Sequence, residues 1–484
     1  RRTPLVDFLN EEVQTYYRWC TPSVLLDAPR VGDVYATDVS ASLSVRGTLA
    51  DNSGIFEEAH RLAAEAYGAD HTLFSVHGST GSVYVVLRYL SLMYGTPLIL
   101  ASRNIHISVQ NACEDFGVRY RFLKSYYDPE FDMFIPPKPE DVVEALERYP
   151  EANAVLLSNP TYEGLSCRLR ETVEAIRGFN EDVLIIVDEA WGAHFRFSDR
   201  LPETAMEVGA DISIQSTHKQ GGSLQQTGMI HWKDGLVDAE VMWEAYRGYV
   251  TTSPSYHMLA SLDAARAYLV ERGRKEIERV IRLSERFREE LRERVPRLGV
   301  LDREHLERWS EHVNGVDLTK TLVSLTEYDI TGFRLDEELQ RRFRVVPETA
   351  NYNSLLFITT FQLPERAVDA TVEALSRLLR GREIPRGEKR LLTPPLRDQP
   401  PKIEPYLLRR MPKKLITQRI PIDLAVGMIS AETIVPYPPG VPILIKGYRI
   451  TREVVEYLKA VRDAGGLLIA RDTSLREVEG LKFP

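Results

Sequence analysis

Four polar clusters, each directly behind an apolar run, carry the residue types that covalent chemistry needs. Lys219 ends QSTHK (215–219) after the apolar stretch Ile212–Gln215, and Asp188 ends VLIIVD (183–188) and opens DEAWGAH (188–194). The cluster HGSTGS (77–82) follows TLFSV (72–76), and Arg103, Asn104 and His106 follow PLILA (97–101). A lysine amine adds to a carbonyl carbon once burial and nearby charge keep it reactive. An aspartate at the end of a neighbouring strand can hold a protonated ring nitrogen, and a histidine can stack on a ring face. A GSTGS run opening a helix offers N–H groups and hydroxyls to a phosphate. Each cluster alone has an ordinary explanation: a capping aspartate, a solvated lysine, a turn, a hydrogen-bonded histidine. Met together in this chain order, they match the aldehyde, ring nitrogen, ring face and phosphate of pyridoxal 5′-phosphate.

The elements that must position these residues alternate strand and helix. The runs 72–76, 97–101, Ala154–Ser158, 183–188 and Ile212–Gln215 are continuously apolar, as strands covered on both faces of a mostly parallel sheet are. Helical periodicity separates them at Ile55–Tyr67, 138–148 and 170–179. Such alternation implies an α/β sheet with ligands beyond the carboxyl ends of its strands. A long charged helix or broken helix pair spans 255–294, followed by strands at 320–325 and 355–360 around a helix at 332–343, a small α+β subdomain. Proline, glycine and charge concentrate over 381–420 as in a linker, and a small appended unit follows from about 421. The expected division is an N-terminal segment 1–45, a cofactor-binding large domain 46–290, an α+β subdomain 291–390, and a linker with C-terminal domain 391–484.

The 484 residues suffice for about three domains at roughly 150 residues each. With 61 basic against 70 acidic residues the net charge is −9, which argues against nucleic-acid binding by bulk electrostatics. No apolar stretch approaches the ~20 residues of a spanning helix, and RRTPLVDFLNEE lacks the apolar core of a secretory signal. The chain opens without Met, as a trimmed one would. Cys20, Cys113 and Cys167 form neither a disulfide framework nor a CxxC metal motif, so a reduced cytoplasmic setting and no metal are expected.

The wording and order of these motifs resemble the bacterial ornithine/lysine/arginine decarboxylases, pyridoxal-phosphate enzymes of the aspartate-aminotransferase fold (fold type I). The likeness covers nearly the whole chain. It includes the lead-in DVSASLSVRGTLADNSGIFEEAHRLAAEAYGADHTLF, SNPTYEG (158–164) beside the family's TYDG turn, and QSTHK beside its lysine motif. It also includes TTSPSY (251–256) and the C-terminal signature AVGMISAETIVPYPPGVPILIKG (425–447). The layout matches the short form without an N-terminal wing domain. By this resemblance Lys219 forms the Schiff base, Asp188 pairs with the pyridinium nitrogen, and His106 stacks on the ring. Ser79, Thr80, Gly81, Ser216 and His218 surround the phosphate, with Thr252 contributing from a partner chain. His218, with Lys219, handles the proton; Trp191 lines the pocket; and Glu348, one residue off the family's acidic position, meets the distal cation of a basic substrate.

The resemblance implies decarboxylation of arginine, lysine or ornithine, as in polyamine biosynthesis, by a homodimer or larger assembly acting on a small molecule, with no nucleic acid or membrane partner. Several family motifs are altered. CTPSVLLDAP (20–29) replaces a PGHxxG-containing stretch, GSTGSV replaces GTS-x-AN, NIHIS (104–108) replaces NCHKS, and QGGSLQQ follows the lysine. These changes surround the substrate and motivate an alternative: an oxygen-using oxidative deaminase, oxidative decarboxylase or hydroxylase of an arginine-like amino acid. A non-catalytic cofactor-binding paralogue is a third reading, opposed by the intact Lys219 and Asp188.

Overall fold

Continuous apolar runs become strands covered on both faces. The computed structural model describes residues 4–396, 399–437 and 440–482. Its central sheet has seven strands: β1 (His71–Ser75), β2 (Leu98–Ala101), β3 (Arg119–Phe122), β4 (Ala154–Ser158), β5 (Leu184–Asp188), β6 (Ile212–Gln215) and β7 (Gly228–Trp232), in spatial order β1-β7-β6-β5-β4-β2-β3. All neighbours run parallel except β7, which is antiparallel to both β1 and β6. The sheet is therefore the mostly parallel one expected, with α1 (Ile55–Tyr67), α2 (Gly78–Tyr94), α3 (Ile107–Phe116), α4 (Pro139–Arg148) and α5 (Leu169–Phe179) among its helices. One core packs α1, α2 and α3 on one face; a second packs α4 and α5 on the other. A short turn of helix, α6 (Thr217–Gln220), follows β6 and carries Lys219.

The charged helix is one unbroken element, α7 (Tyr256–Arg294), 39 residues long and N-capped by Ser255, whose side chain accepts from Met258 N–H. Leu259 and Leu262 join the sheet's core, whereas Leu283, Phe287 and Leu291 join the next one. That next core lies between α7, α8 (Arg366–Leu379) and a four-stranded antiparallel sheet: β8 (Gly299–Val300), β9 (Lys320–Ser324), β10 (Thr349–Ala350) and β11 (Ser354–Ile358), in order β8-β9-β11-β10. The expected helix over 332–343 is an α-helix only for Gly332–Glu338, continuing as a π-helical turn Leu339–Phe343. Trp19 is sealed into this core, its ring centroid 4.3 Å from that of Phe287 and its Nε1–H donated to Thr371 Oγ1 at 2.9 Å.

The C-terminal unit has its own core around α9 (Arg452–Asp463), with Ile434, Leu444, Leu458 and Val478. A buried ion pair between Lys446 and Glu114 of α3 joins it to the large domain. Pro438 and Pro439 of the PYPPG stretch, Arg397 and Asp398 of the linker, and Arg1, Arg2 and Thr3 lie outside the described residues. No helix among the described residues is long and apolar enough to cross a membrane. No cluster of His, Cys, Asp or Glu suited to a metal ion occurs among them either.

Candidate active site

The carboxyl ends of β1, β2, β4, β5 and β6 open onto a cavity of about 260 Å³. Ser79, Thr80, His106, Asp188, Trp191, Ser216, His218, Lys219 and Glu348 all line it. These nine come from five stretches of chain. Two other expected residues do not line it. Gly81 sits one turn into α2, where a Cβ would come within 2.4 Å of His77 Cβ, so its small size serves helix packing. Thr252 lies on a partly exposed loop outside this chain's cavity.

Lys219 is half-buried, and its Nζ stands 3.8 Å from the centroid of the Trp191 ring. Burial pulls its proton affinity below that of a free lysine, partly opposed by Asp188 and Glu348 and reinforced by Lys320. Asp188, at the end of β5, takes Ala190 N–H on Oδ1 at 3.2 Å; burial raises its pKa and Lys219 pulls it back. His106 caps α3 by accepting Ser108 N–H on Nδ1 at 3.2 Å. Burial and the adjacent Lys219 lower its pKa to about 4, keeping the ring neutral. His218 Nδ1 lies 2.6 Å from the Thr227 carbonyl, which can only accept, so the proton sits on Nδ1 and Nε2 is left as an acceptor. Its pKa is likewise about 4, through burial against the Thr227 hydrogen bond.

The donor set suits the cofactor expected from the sequence. At the first turn of α2, Ser79 and Thr80 present the N–H groups that a helix start leaves unpaired, and Ser216 Oγ donates to Ser79 Oγ at 2.6 Å. Ser158 Oγ, in register with Asp188, and the adjacent Asn159 Nδ2 are buried with no hydrogen-bond partner among the described residues, as groups awaiting a polar ligand would be. Among the described residues Lys219 Nζ has no hydrogen-bond or ion-pair partner, which leaves the amine free for a carbonyl.

Several lining residues lie outside the expected set. Thr21, from the N-terminal segment, donates its N–H to Glu348 Oε2 at 2.7 Å, and Tyr162 donates its hydroxyl to Oε1 at 3.2 Å. Lys320, at the start of β9, is buried behind Trp191, 4.2 Å from its ring centroid, and donates to the Tyr162 carbonyl at 2.9 Å. Burial lowers its pKa to about 8 against Asp317, Glu348 and Glu163. Two ammonium groups thus bear on one indole. Gly164, at φ +101°, lets the lysine stem through, since a Cβ there would sit 3.0 Å from Lys320 Cδ and Asp317 Cβ. Tyr437 and Val441 bring the C-terminal unit to the cavity, where a Cβ on Gly440 would be 3.4 Å from His106 Cδ2. The stretches TYEG and KTLVSL were visible in the sequence, but nothing local placed their charged residues beside Trp191.

A mostly parallel seven-stranded sheet with a half-buried lysine behind one strand and an aspartate ending its neighbour defines a pyridoxal-phosphate enzyme of fold type I. Comparison with known proteins agrees. Residues 31–365 match the family described as Orn/Lys/Arg decarboxylase, major domain, and residues 401–468 match the C-terminal domain of the same family. The arginine decarboxylase of Halalkalibacterium halodurans is 34% identical over 415 residues, covering 85% of this chain and 82% of that protein. The arginine decarboxylase of Bacillus subtilis is 34% identical over 418 residues with the same coverage. The crystal structure of the Francisella novicida lysine decarboxylase LdcF superposes with a TM-score of 0.75 at 20% identity, covering 93% of this chain and 75% of that one. The chain belongs to the Orn/Lys/Arg decarboxylase family, pyridoxal-phosphate-dependent decarboxylases of basic amino acids.

Proposed function

We propose that this enzyme removes the α-carboxylate of arginine as CO2, leaving the corresponding amine. Arginine is preferred over lysine and ornithine because the two relatives at 34% identity are arginine decarboxylases. The observation that carries the chemistry is the half-buried, unpaired Lys219 amine held over Trp191 beside Asp188. When bound, pyridoxal phosphate supplies a conjugated ring that accepts the electron pair released as carbon dioxide departs.

Each of this chain's residues then has a task. Lys219 would hold the cofactor through its amine, and Asp188 would keep a proton on the ring nitrogen. The α2 N–H groups, Ser79, Thr80 and Ser216 would hold the phosphate, and His106 would lie against the ring. His218, neutral with Nε2 unprotonated, is equipped to take and return a proton near the α-carbon, alongside the freed Lys219 amine. Burial excludes water from the carboxylate, which favours its loss as a neutral gas. The named relatives favour decarboxylation over the oxidative outcome.

We further propose a cytoplasmic homodimer acting in polyamine biosynthesis, with Thr252 completing the partner's site. Its support is the exposed apolar N-terminal segment and Leu224, 45% exposed at the rim that Gln225 lines. Incubating the protein with arginine, lysine and ornithine, with and without oxygen, should yield agmatine and CO2 fastest from arginine and independently of oxygen. Peroxide or a keto acid would overturn the proposal. Lys219→Ala should abolish both turnover and the Schiff-base absorbance.

A further inference from the structure

Three carboxylates line the cavity: Asp188, Glu348 and Glu163. Asp188 ends β5 among the groups suited to the ring. Glu348 has both oxygens engaged, one by Thr21 N–H and one by the Tyr162 hydroxyl, and is pulled electrostatically toward Lys219 and Lys320. Glu163 differs. It is 4% exposed, and its Oε2 is buried with no hydrogen-bond partner among the described residues. Of the cavity-lining residues described, only Ser158 also keeps a buried side-chain oxygen or nitrogen unmatched, and Ser158 stands in register with Asp188. An orphaned buried carboxylate oxygen is costly unless a donor arrives with a ligand.

Glu163 occupies the turn 161–164, closed by Thr161 N–H to the Leu165 carbonyl at 2.8 Å and Gly164 N–H to the Thr161 carbonyl at 3.0 Å. Lys320 lies close enough to stabilise its charge, yet among the described residues no ion pair forms between them. Burial raises the Glu163 pKa to about 6, against its own N–H, the Thr161 side chain and Lys320, and a cation arriving beside it favours the charged form. Its other side borders a wider cleft lined by Arg288, Arg292 and Arg303.

We propose that Glu163 receives the distal cation of the substrate, in place of the Glu348 assignment drawn from resemblance. The inference rests on the reading of the enzyme as a basic-amino-acid decarboxylase and adds the residue that selects the side chain. A guanidinium presents several N–H donors in a planar fork and satisfies a carboxylate oxygen that a neutral side chain leaves weakly paired. Glu348 then serves as a fixed carboxylate tying Thr21 and Tyr162 to the lysine pair.

The test compares wild-type holoenzyme with Glu163→Gln and Glu163→Asp, using arginine as substrate and citrulline, its neutral near-isostere, as competitive inhibitor. Loss of one charge-assisted hydrogen bond should raise the KM for arginine roughly 10- to 100-fold in Glu163→Gln. The Ki of citrulline should stay within about threefold, and Glu163→Asp should recover part of the arginine affinity. Schiff-base absorbance and melting temperature report whether each variant is folded and loaded. An unchanged KM in Glu163→Gln overturns the inference. So does equal weakening of arginine and citrulline, which marks a structural role, and so does failure of both variants to load cofactor. A wild-type enzyme that decarboxylates no basic amino acid would remove the underlying function as well, an outcome distinct from unaltered selectivity.

Discussion

The side chains that matter most divide by how they reach the cavity. Lys219, Asp188 and His106 were legible because each ends its own strand or follows it by a few residues, so one local pattern fixed both element and exit point. Thr21 and Glu163, and Lys320 behind Trp191, were not, since they arrive on a neighbouring segment, a turn and the first residue of a strand in the small domain. Asp188→Asn keeps the shape and deletes the charge facing the ring. Decarboxylation should fall by roughly 100-fold or more while cofactor absorbance persists, as measured by CO2 release and visible spectra. A buried group away from the site gives a pH signature. His60 Nε2 accepts Phe74 N–H at 3.1 Å and its Nδ1 lies 2.8 Å from Asn52 Oδ1, so the neutral ring satisfies both contacts. Burial lowers its pKa to about 3 from 6.5. The unfolded chain therefore binds a proton that the folded one refuses, and His60's contribution, full above 6.5, declines as pH falls toward 3. His60→Gln, whose amide can serve both partners, should lose less melting temperature than wild type between pH 7 and pH 4. Parallel curves would contradict the assignment.

Element boundaries were read closely where apolar character is continuous: Ala154–Ser158, Ile212–Gln215 and Ile55–Tyr67 stand as expected, and the long charged helix begins one residue from its reading. Strands β3 and β7 escaped notice for different reasons. Arg119–Phe122 alternates arginine with aromatics because it is the sheet's edge, where charge is tolerated and deters pairing with another strand. Gly228–Trp232 is a five-residue insertion antiparallel to both neighbours, a placement no local pattern encodes. The element contact with most consequence is that of the C-terminal unit on α3, the helix His106 caps. Lys446 and Glu114 are both almost fully buried there. Burial raises the Glu114 pKa, and Lys446 counters it by charge and hydrogen bond. Lys446→Met strands a buried carboxylate and should cost about 3 kcal/mol or more in denaturant unfolding. Lys446→Met with Glu114→Leu should recover much of that loss, because the desolvated charge is gone. Failure of the double variant to recover would mean the pair contributes packing rather than charge.

At the scale of the whole molecule, the N-terminal segment poses the clearest physical problem. Tyr17–Trp19 pairs with Val345–Pro347, Trp19 is sealed in the small-domain core, and the N–H groups of Thr21, Ser23, Val24 and Leu25 are donated to Glu348, Lys219, Gln362 and Gly222, so the segment is anchored as far as Leu25. Beyond it the chain presents Leu26, Val31, Val34, Tyr35, Val39, Leu43 and Val45 to solvent, with Tyr35 93% and Val45 85% exposed. Apolar side chains concentrated in this way mark a surface meant to be covered. Composition did not reveal it, since overall apolar content is ordinary and only the fold shows which residues remain outside. A second copy of the chain is the occupant proposed here. Wild-type enzyme should then sediment as a dimer or larger species at micromolar concentration. Tyr35→Asp combined with Val45→Asp should shift it toward monomer, with specific activity falling in step as dilution proceeds. Retention of the assembly in that double variant, or full activity in a monomer, would place the covering surface elsewhere and leave each chain's cavity complete without a neighbour.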